Sequence, residues 1–213
     1  MKTFKTLTNA ETFFKELANA PHRVLMLDYD GTLAPYVTER GRAIPYPGVR
    51  KRLNTLMASD QTRLIIVSGR TIEDLKPLLE TKRLPEIWGS HGAEHLKENG
   101  EYELVPVNEI AVRGLVAADE WSVKEGLESC HEKKPTSLAF HWRGLDRDRA
   151  DSIRNKVLNR WAEAVRQYGL FVHEFDGGLE IRVQGVDKGA AVKKVLEQLE
   201  PHTAVAYLGD DAT

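Results

Sequence analysis

The stretch VLMLDYDGT at residues 24–32 decides the fold, because four apolar residues stop abruptly at a pair of aspartates. An unbroken apolar run is typical of a strand that is covered on both faces, as in a parallel sheet. Residues 64–69 (LIIVSG) and 204–210 (AVAYLGD) have the same form, and segments with helical spacing lie between the runs. We therefore predict an α/β fold with an open, Rossmann-like parallel sheet as its core.

The middle of the chain follows a different pattern, which predicts a smaller inserted domain. Asn99-Gly100 stands between two short segments and is a strong signal for a β-hairpin. The pattern that follows has the order αβαββ over about residues 106–184. We therefore assign residues 1–105 and 185–213 to the core domain, which is incomplete at its C-terminal side, and residues 106–184 to the insert.

Composition and charge exclude several classes of protein. The formal net charge of the 213 residues is -2, which does not favour a nucleic-acid partner. Cys130 is the only cysteine, so an internal disulfide and a cysteine-based zinc site are excluded. No apolar run has the length of a signal peptide or a membrane span. We expect a cytoplasmic protein without a membrane partner, and a monomer is one option left open.

Asp28 and Asp30 form the chemical centre of the sequence. Two carboxylates at this spacing in a turn can point into one site, where one attacks phosphorus and the other exchanges protons with the leaving oxygen and with water. Gly31 and Thr32 would let backbone N–H groups approach the phosphoryl oxygens. An ordinary solvated turn is the alternative, because Asp and Gly are common turn residues.

Polar residues also stand at the other strand ends and at one helix start. Ser68 begins the segment Ser-Gly-Arg that opens a helix, which is a natural phosphate cradle, although Ser is equally a good N-cap. Lys188 could neutralise the nucleophile and the phosphoryl group, or it could be a solvated lysine. Asp210 and Asp211 offer hard oxygen ligands for Mg²⁺, or one of them caps the strand end.

The order of these motifs resembles that of the haloacid dehalogenase-like phosphatases. The resemblance implies that Asp28 is the nucleophile and Asp30 the general acid and base. It also implies Mg²⁺ held by Asp28, by the backbone carbonyl of Asp30 and by Asp210, with Ser68 and Lys188 on the phosphoryl group. Phosphoryl transfer depends on such positioning and charge neutralisation.

Further segments are similar to the trehalose-6-phosphate phosphatase family and span nearly the whole chain from about residue 24. They are residues 27–35, 67–70, 89–94, 134–135, 139–143, 178–182 and 208–213. The resemblance implies hydrolysis of a small-molecule sugar phosphate, trehalose 6-phosphate, with the insert acting as a mobile cap. Family members continue after the last segment with a further acidic residue, a strand and a helix, so we expect these residues to be part of a longer chain.

Alternation along the strands of the insert separates an apolar face from a polar one. Leu138, Phe140 and Trp142 alternate with polar or small residues, and so do the apolar residues at 179–183. The polar face could contact a sugar, or it could be an ordinary solvated face. With the resemblance, the substrate-binding candidates are Gly31, Thr32, Gly69, Arg70, Glu94, Lys134, His141, Arg143 and Glu180.

Three alternatives stay open at this point. His91 fits a structural role as well as a functional one. The substrate could be another sugar phosphate, such as sucrose phosphate or a glycosyl phosphoglycerate. The chain could also be a non-catalytic module that binds phosphosugars.

Overall fold

The computed structural model describes residues 10–37, 39–162, 164–175 and 177–210. Asp211 therefore lies outside the described residues. In chain order the elements are α1 (Ala10–Asn19), β1 (His22–Asp28), α2 (Val49–Ser59), β2 (Arg63–Val67), α3 (Ile72–Leu79), β3 (Glu86–Gly89), β4 (Glu94–Leu96), β5 (Tyr102–Leu104), α4 (Glu109–Lys124), β6 (His131–Lys134), β7 (Ser137–His141), α5 (Arg147–Trp161), α6 (Ala164–Tyr168), β8 (Leu170–Phe175), β9 (Gly178–Val183), α7 (Lys188–Glu197) and β10 (Thr203–Leu208).

The first sheet confirms the predicted α/β core. Its strand order is β10-β1-β2-β3-β4-β5, in which β10, β1, β2 and β3 run parallel and β4 and β5 are antiparallel additions. Asp28 at the end of β1 is in register with Val67 of β2, and its neighbour Leu27 pairs with Leu208 of β10. The carboxyl ends of the three strands therefore meet at one edge, which is where open α/β sheets bind ligands.

Apolar clusters cover both faces of this sheet, which explains why its strands are continuously apolar. Met26 of β1 packs with Ile65 of β2 on one face, against α7. Leu27 and Ile66, the next residue of each strand, pack on the other face with residues of α2 and α3. Each such fully buried side chain contributes roughly 1.5–3 kcal/mol. The packing holds the strand ends in fixed positions.

The insert forms a second, antiparallel sheet with the strand order β6-β7-β9-β8. Leu138 of β7 faces Ile181 of β9, and both are buried with Val157 and other residues of the α4 and α5 helices. The next pair in register, Ala139 and Glu180, lies on the opposite face. The predicted division into an apolar and a polar face is therefore confirmed for β7 and β9. We call the second sheet with its helices the cap.

Of two local predictions from the sequence pattern, the structure confirms one and contradicts the other. The predicted hairpin at Asn99-Gly100 is confirmed, since β4 and β5 pair across it and Gly100 has a φ of 88°. The predicted αβαββ order was wrong, because it missed β6. Residues 131–134 are His-Glu-Lys-Lys, a charged run without apolar alternation that becomes a strand by pairing with β7.

The domain boundaries at 105/106 and 184/185 stay predictions. In the described ranges, no helix is both long and apolar enough to cross a bilayer.

Candidate active site

Asp28 and Lys188 form a buried ion pair at the carboxyl edge of the core sheet. Asp28 is 2% exposed, and its Oδ2 accepts a hydrogen bond from Lys188 Nζ. The backbone N–H of Tyr29 donates to Asp28 Oδ1 at 2.7 Å. Lys188 is placed there because it is the first residue of α7, which Asp187 caps by accepting from Ala190 N at 2.7 Å. Lys188 is only 8% exposed, which rules out the alternative that it is a solvated lysine.

Asp30 lies in the turn after β1, and its carboxylate pairs with Arg70. Arg70 Nε and Nη2 donate to Asp30 Oδ2 and Oδ1, both at 2.7 Å. Burial by itself would lower the pKa of the Arg70 guanidinium, but the hydrogen bond and charge of Asp30 raise it. The two aspartates therefore have different cationic partners in one turn.

Gly31 and Thr32 complete this turn. Gly31 has a φ of 78°, and a Cβ at this position would overlap the carboxylate of Asp210, so the turn requires glycine. Tyr36 OH donates to Asp210 Oδ2 at 2.9 Å, which holds that exposed carboxylate beside the turn. The buried Oγ1 of Thr32 has no hydrogen-bond partner among the described residues. A buried hydroxyl without a partner is costly, which favours a ligand contact here.

Ser68, Gly69 and His91 connect the end of β2 to the cap. Ser68 is 1% exposed, and its Oγ accepts from Arg70 N at 3.1 Å. The His91 ring packs so closely over Gly69 that a Cβ there would meet it. His91 Nε2 lies 3.5 Å from Glu180 Oε2 of the cap. Burial lowers the pKa of His91, although the hydrogen bond and charge of Glu180 oppose that shift.

Glu180 is the centre of the polar face of the cap. It is 3% exposed and accepts hydrogen bonds from Ser137 Oγ at 2.6 Å and from Lys134 Nζ at 3.2 Å. Burial would raise the pKa of Glu180, but His91, Lys134 and Ser137 together hold it well below its usual range. The predicted residues Lys134 and Glu180 are therefore brought together, opposite the core site.

Glu132 of β6 is a site residue that the sequence pattern missed. Its Oε2 accepts from His141 Nε2 at 2.9 Å and pairs with Arg40 of the core, while its Oε1 lies 3.9 Å from Lys134 Nζ. Burial would raise the pKa of Glu132, but His141, Lys134 and Arg40 lower it to about 2. The alternation of β7 placed His141 on the polar face, and its missed neighbour β6 places Glu132 beside it.

Two predicted sugar contacts lie elsewhere. Glu94 begins β4 in the core, where its carboxylate accepts hydrogen bonds from Ser90 Oγ and, at 3.1 Å, from Tyr102 OH. Arg143 follows β7 and packs over Gly177 in the connection between β8 and β9, where it is exposed. Their sugar-binding roles stay predictions.

The donor set at the strand ends suits a hard divalent cation. Among the described residues, no three carboxylate, imidazole or thiol groups cluster closely enough to hold a metal. Two carboxylates, Asp28 and Asp210, flank the turn that carries the backbone carbonyl of Asp30. Carboxylate and carbonyl oxygens are the ligands that Mg²⁺ accepts, with water completing its coordination.

Comparisons with known proteins first define the fold class. A haloacid dehalogenase-like hydrolase from Bacteroides thetaiotaomicron matches with a TM-score of 0.64 and 16% identity, over 89% of this chain and 82% of that chain. The C-terminal domain of the trehalose-6-phosphate phosphatase of C. albicans matches with a TM-score of 0.77 and 21% identity, over 100% of this chain and 77% of that chain. The chain therefore has the fold of the haloacid dehalogenase-like hydrolases.

The family follows from the sequence comparisons. The model of the trehalose-phosphatase family matches residues 26–213, and the chain belongs to that family. The bifunctional trehalose-6-phosphate synthase/phosphatase of Thermoproteus tenax is 30% identical over 203 residues, which cover 93% of this chain and 27% of that relative. The chain thus spans about a quarter of the length of that relative. The resemblance stated from the motifs is confirmed.

Proposed function

We propose that this chain hydrolyses trehalose 6-phosphate to trehalose and phosphate through an aspartyl phosphate on Asp28. The observation that carries the proposal is the buried ion pair of Asp28 and Lys188 at the carboxyl edge of the sheet. A carboxylate nucleophile can approach an anionic ester only where a cation offsets the repulsion. Two buried hydroxyls at the same edge of the sheet could act as donors: that of Thr32, which has no hydrogen-bond partner among the described residues, and that of Ser68. Membership of the trehalose-phosphatase family supports the choice of substrate.

The two aspartates divide the chemistry. A carboxylate oxygen of Asp28 attacks phosphorus, and the bond from phosphorus to the sugar oxygen breaks while that oxygen takes a proton from Asp30. A water molecule then attacks the aspartyl phosphate and gives its proton to Asp30. The bond from phosphorus to Asp28 breaks, which releases phosphate and returns Asp28 to its carboxylate form and Asp30 to its protonated form.

The Mg²⁺ site would be formed by Asp28, the backbone carbonyl of Asp30 and Asp210. When bound, Mg²⁺ supplies positive charge that offsets the repulsion between carboxylate and phosphate. Lys188 contributes a positive charge beside Asp28, and Tyr36 orients Asp210 through its hydroxyl. These residues keep the acidic groups in place before any ligand binds.

The polar face of the cap would bind the sugar. Acceptors and donors for hydroxyl groups are offered there by Glu180, Lys134, Glu132 and His141. This face is joined to the core by the contacts of His91 with Glu180 and of Arg40 with Glu132. Enclosure between core and cap would exclude water and strengthen the electrostatics at phosphorus. A monomeric state and a cytoplasmic location stay predictions.

The test is phosphate release from trehalose 6-phosphate, with and without Mg²⁺, by the wild-type chain and by Asp28→Asn. We expect Mg²⁺-dependent release that Asp28→Asn abolishes, while the exposed control Asp60→Asn keeps the wild-type rate. Wild-type rates for Asp28→Asn would exclude Asp28 as the nucleophile. The panel includes sucrose phosphate and a glycosyl phosphoglycerate, and a preference for either would replace the proposed substrate. Tight binding without turnover would indicate a non-catalytic module.

A further inference from the structure

Arg70 binds acceptors of its own chain through all three of its guanidinium nitrogens. Nε and Nη2 form a two-pronged contact with both oxygens of Asp30, at 2.7 Å each, and Nη1 donates to the backbone carbonyl of Arg40 at 2.9 Å. The residue is 4% exposed, and its Cζ lies 5.6 Å from the centre of the Tyr29 ring. All three guanidinium nitrogens therefore have a protein acceptor. A phosphate-binding arginine would instead direct guanidinium nitrogens at the phosphoryl group.

The segment that receives Nη1 also reaches the cap. Arg40 begins a short 3₁₀ helix, and the ring hydroxyl of Tyr29 donates to the carbonyl of Ala43 just after it, at 2.7 Å. The side chain of Arg40 forms an ion pair with Glu132 of β6. Arg40 thus connects Arg70 to the cap, because its backbone carbonyl accepts from Arg70 and its side chain pairs with Glu132.

We propose that Arg70 is a positioning residue that holds the Asp30 carboxylate, and that Arg40 links this position to the cap through Glu132. The inference rests on the proposed function, in which Asp30, once it has taken up a proton, gives that proton to the leaving sugar oxygen. A fork of two parallel N–H donors fixes the plane of a carboxylate, which a lysine or a single hydrogen bond cannot do. Binding of a sugar to Glu132 would therefore act on Arg40, whose backbone carbonyl accepts from Arg70.

A positioning role for Arg70 and a phosphate-binding role would affect different sets of substrates. A sugar oxygen is a poor leaving group and needs a proton, whereas the oxygen of p-nitrophenol leaves without one. Misplacing the proton donor by about 1 Å costs on the order of 100-fold in rate. A group that binds the phosphoryl oxygens would instead affect both substrates equally, because both carry the same phosphoryl group.

The experiment measures kcat and KM of the full chain for trehalose 6-phosphate and for p-nitrophenyl phosphate, with Arg70→Lys and Arg70→Met. For the sugar phosphate we expect kcat to fall about 10–100-fold in both variants, with KM within about threefold of wild type. For the aryl phosphate we expect kcat to change less than about threefold. Equal losses on both substrates, a raised KM, or rescue by lysine would overturn the inference in favour of phosphate binding.

The link to the cap is tested with Arg40, whose side chain is 36% exposed, so that its replacement does not endanger folding. We expect Arg40→Gln to lower kcat for the sugar phosphate, and the double variant with Arg70→Lys to be no slower than Arg70→Lys alone. Additive losses would show that the two arginines act independently. Arg42→Gln is the matched control, because Arg42 lies in the same turn and pairs only with exposed Glu39 among the described residues.

The rates of the wild-type protein distinguish a failure of the proposed function from a failure of the positioning role of Arg70. No Mg²⁺-dependent release of phosphate from the sugar phosphate would contradict the proposed function itself. Wild-type turnover together with unchanged kcat in Arg70→Lys and Arg70→Met would contradict only the positioning role.

Discussion

The carboxyl edge of the core sheet and the polar face of the cap both carry buried carboxylates, but they hold them in different ways. In the core, Asp28 pairs with Lys188, accepts a hydrogen bond from the backbone N–H of Tyr29, and lies at the end of a strand that is fixed by apolar packing on both faces. In the cap, Glu180 and Glu132 are surrounded by several donors from neighbouring strands and from the core.

This difference indicates a division of labour. A buried cation beside Asp28 offsets the negative charge of an approaching phosphate ester, as attack by a carboxylate requires. Many donors around Glu180 and Glu132 form a network that could exchange its partners for sugar hydroxyls. We therefore expect changes in the core to affect every phosphate ester, and changes in the cap to affect only those that carry the sugar.

Removal of the core cation should have the largest effect. We expect Lys188→Met to lower kcat by about 10³-fold for both trehalose 6-phosphate and p-nitrophenyl phosphate, since both need the same charge neutralisation. The measurement is initial phosphate release at saturating Mg²⁺. Lys193→Met, on the exposed side of the same helix, is the control and should keep wild-type rates. A loss confined to the sugar phosphate would remove the distinction between the two regions.

The core residues were the easier ones to predict, for a physical reason. A parallel strand that ends in a polar residue is a local pattern, and the sheet then brings several such ends to one edge, so Asp28 and Ser68 could be named from the sequence. Lys188 begins a helix, and the family resemblance was needed to single it out. The partner of Asp30 could not, because the contact with Arg70 depends on the path of the turn around Arg40. Sequence alone therefore predicted the residues of this edge better than their pairing.

The cap residues depend on strand register, which a single sequence does not give. Glu180 meets Lys134 and Ser137 only because β7 lies between β6 and β9. Alternation placed Glu180 and His141 on the polar face, and the family resemblance made them candidates, but Glu132 belongs to a charged strand that no apolar pattern reveals. Glu94 shows the converse, since a motif match drew attention to a carboxylate whose hydrogen bonds lie within the core.

A change at the centre of the cap should have the next largest effect, and on one substrate only. We expect Glu180→Gln to lower kcat/KM for trehalose 6-phosphate about 10–100-fold, because a hydrogen bond to a charged group contributes about 1.5–3 kcal/mol. Rates on p-nitrophenyl phosphate should stay near those of wild type. Glu174→Gln, in an exposed ion pair on the neighbouring strand, is the control. Equal losses on both substrates would assign Glu180 to the chemistry.

The acid sensitivity of the cap follows from Glu132. Its pKa is about 2 in the folded chain against an ordinary 4.5, so its contribution to stability is present above about pH 4.5 and is lost as the pH falls towards 2. We expect the free energy of unfolding of the wild type to fall across this window by up to about 1.4 kcal/mol per pH unit from this group. Urea titrations at several pH values should show a shallower fall for Glu132→Gln. Glu197→Gln, which is exposed, should follow the wild type, and a parallel fall in Glu132→Gln would contradict the assignment.

The smallest expected effect tests whether core and cap unfold together. Asn108 caps α4 by accepting from Ile110 N at 2.8 Å, and Thr71 caps α3 in the core by accepting from Asp74 N at 3.1 Å. Each replacement by alanine should cost about 1 kcal/mol, because each leaves one helical N–H without its acceptor. If the two regions form one cooperative unit, both variants shift a single urea transition by the same amount. A two-step transition in which Asn108→Ala moves only one step would show that the cap unfolds separately.

We expect a single unfolding step, because the ion pairs Arg40–Glu132 and His91–Glu180 join the two regions. Adding Arg40→Gln removes one of these pairs and should bring the chain closer to unfolding in two steps.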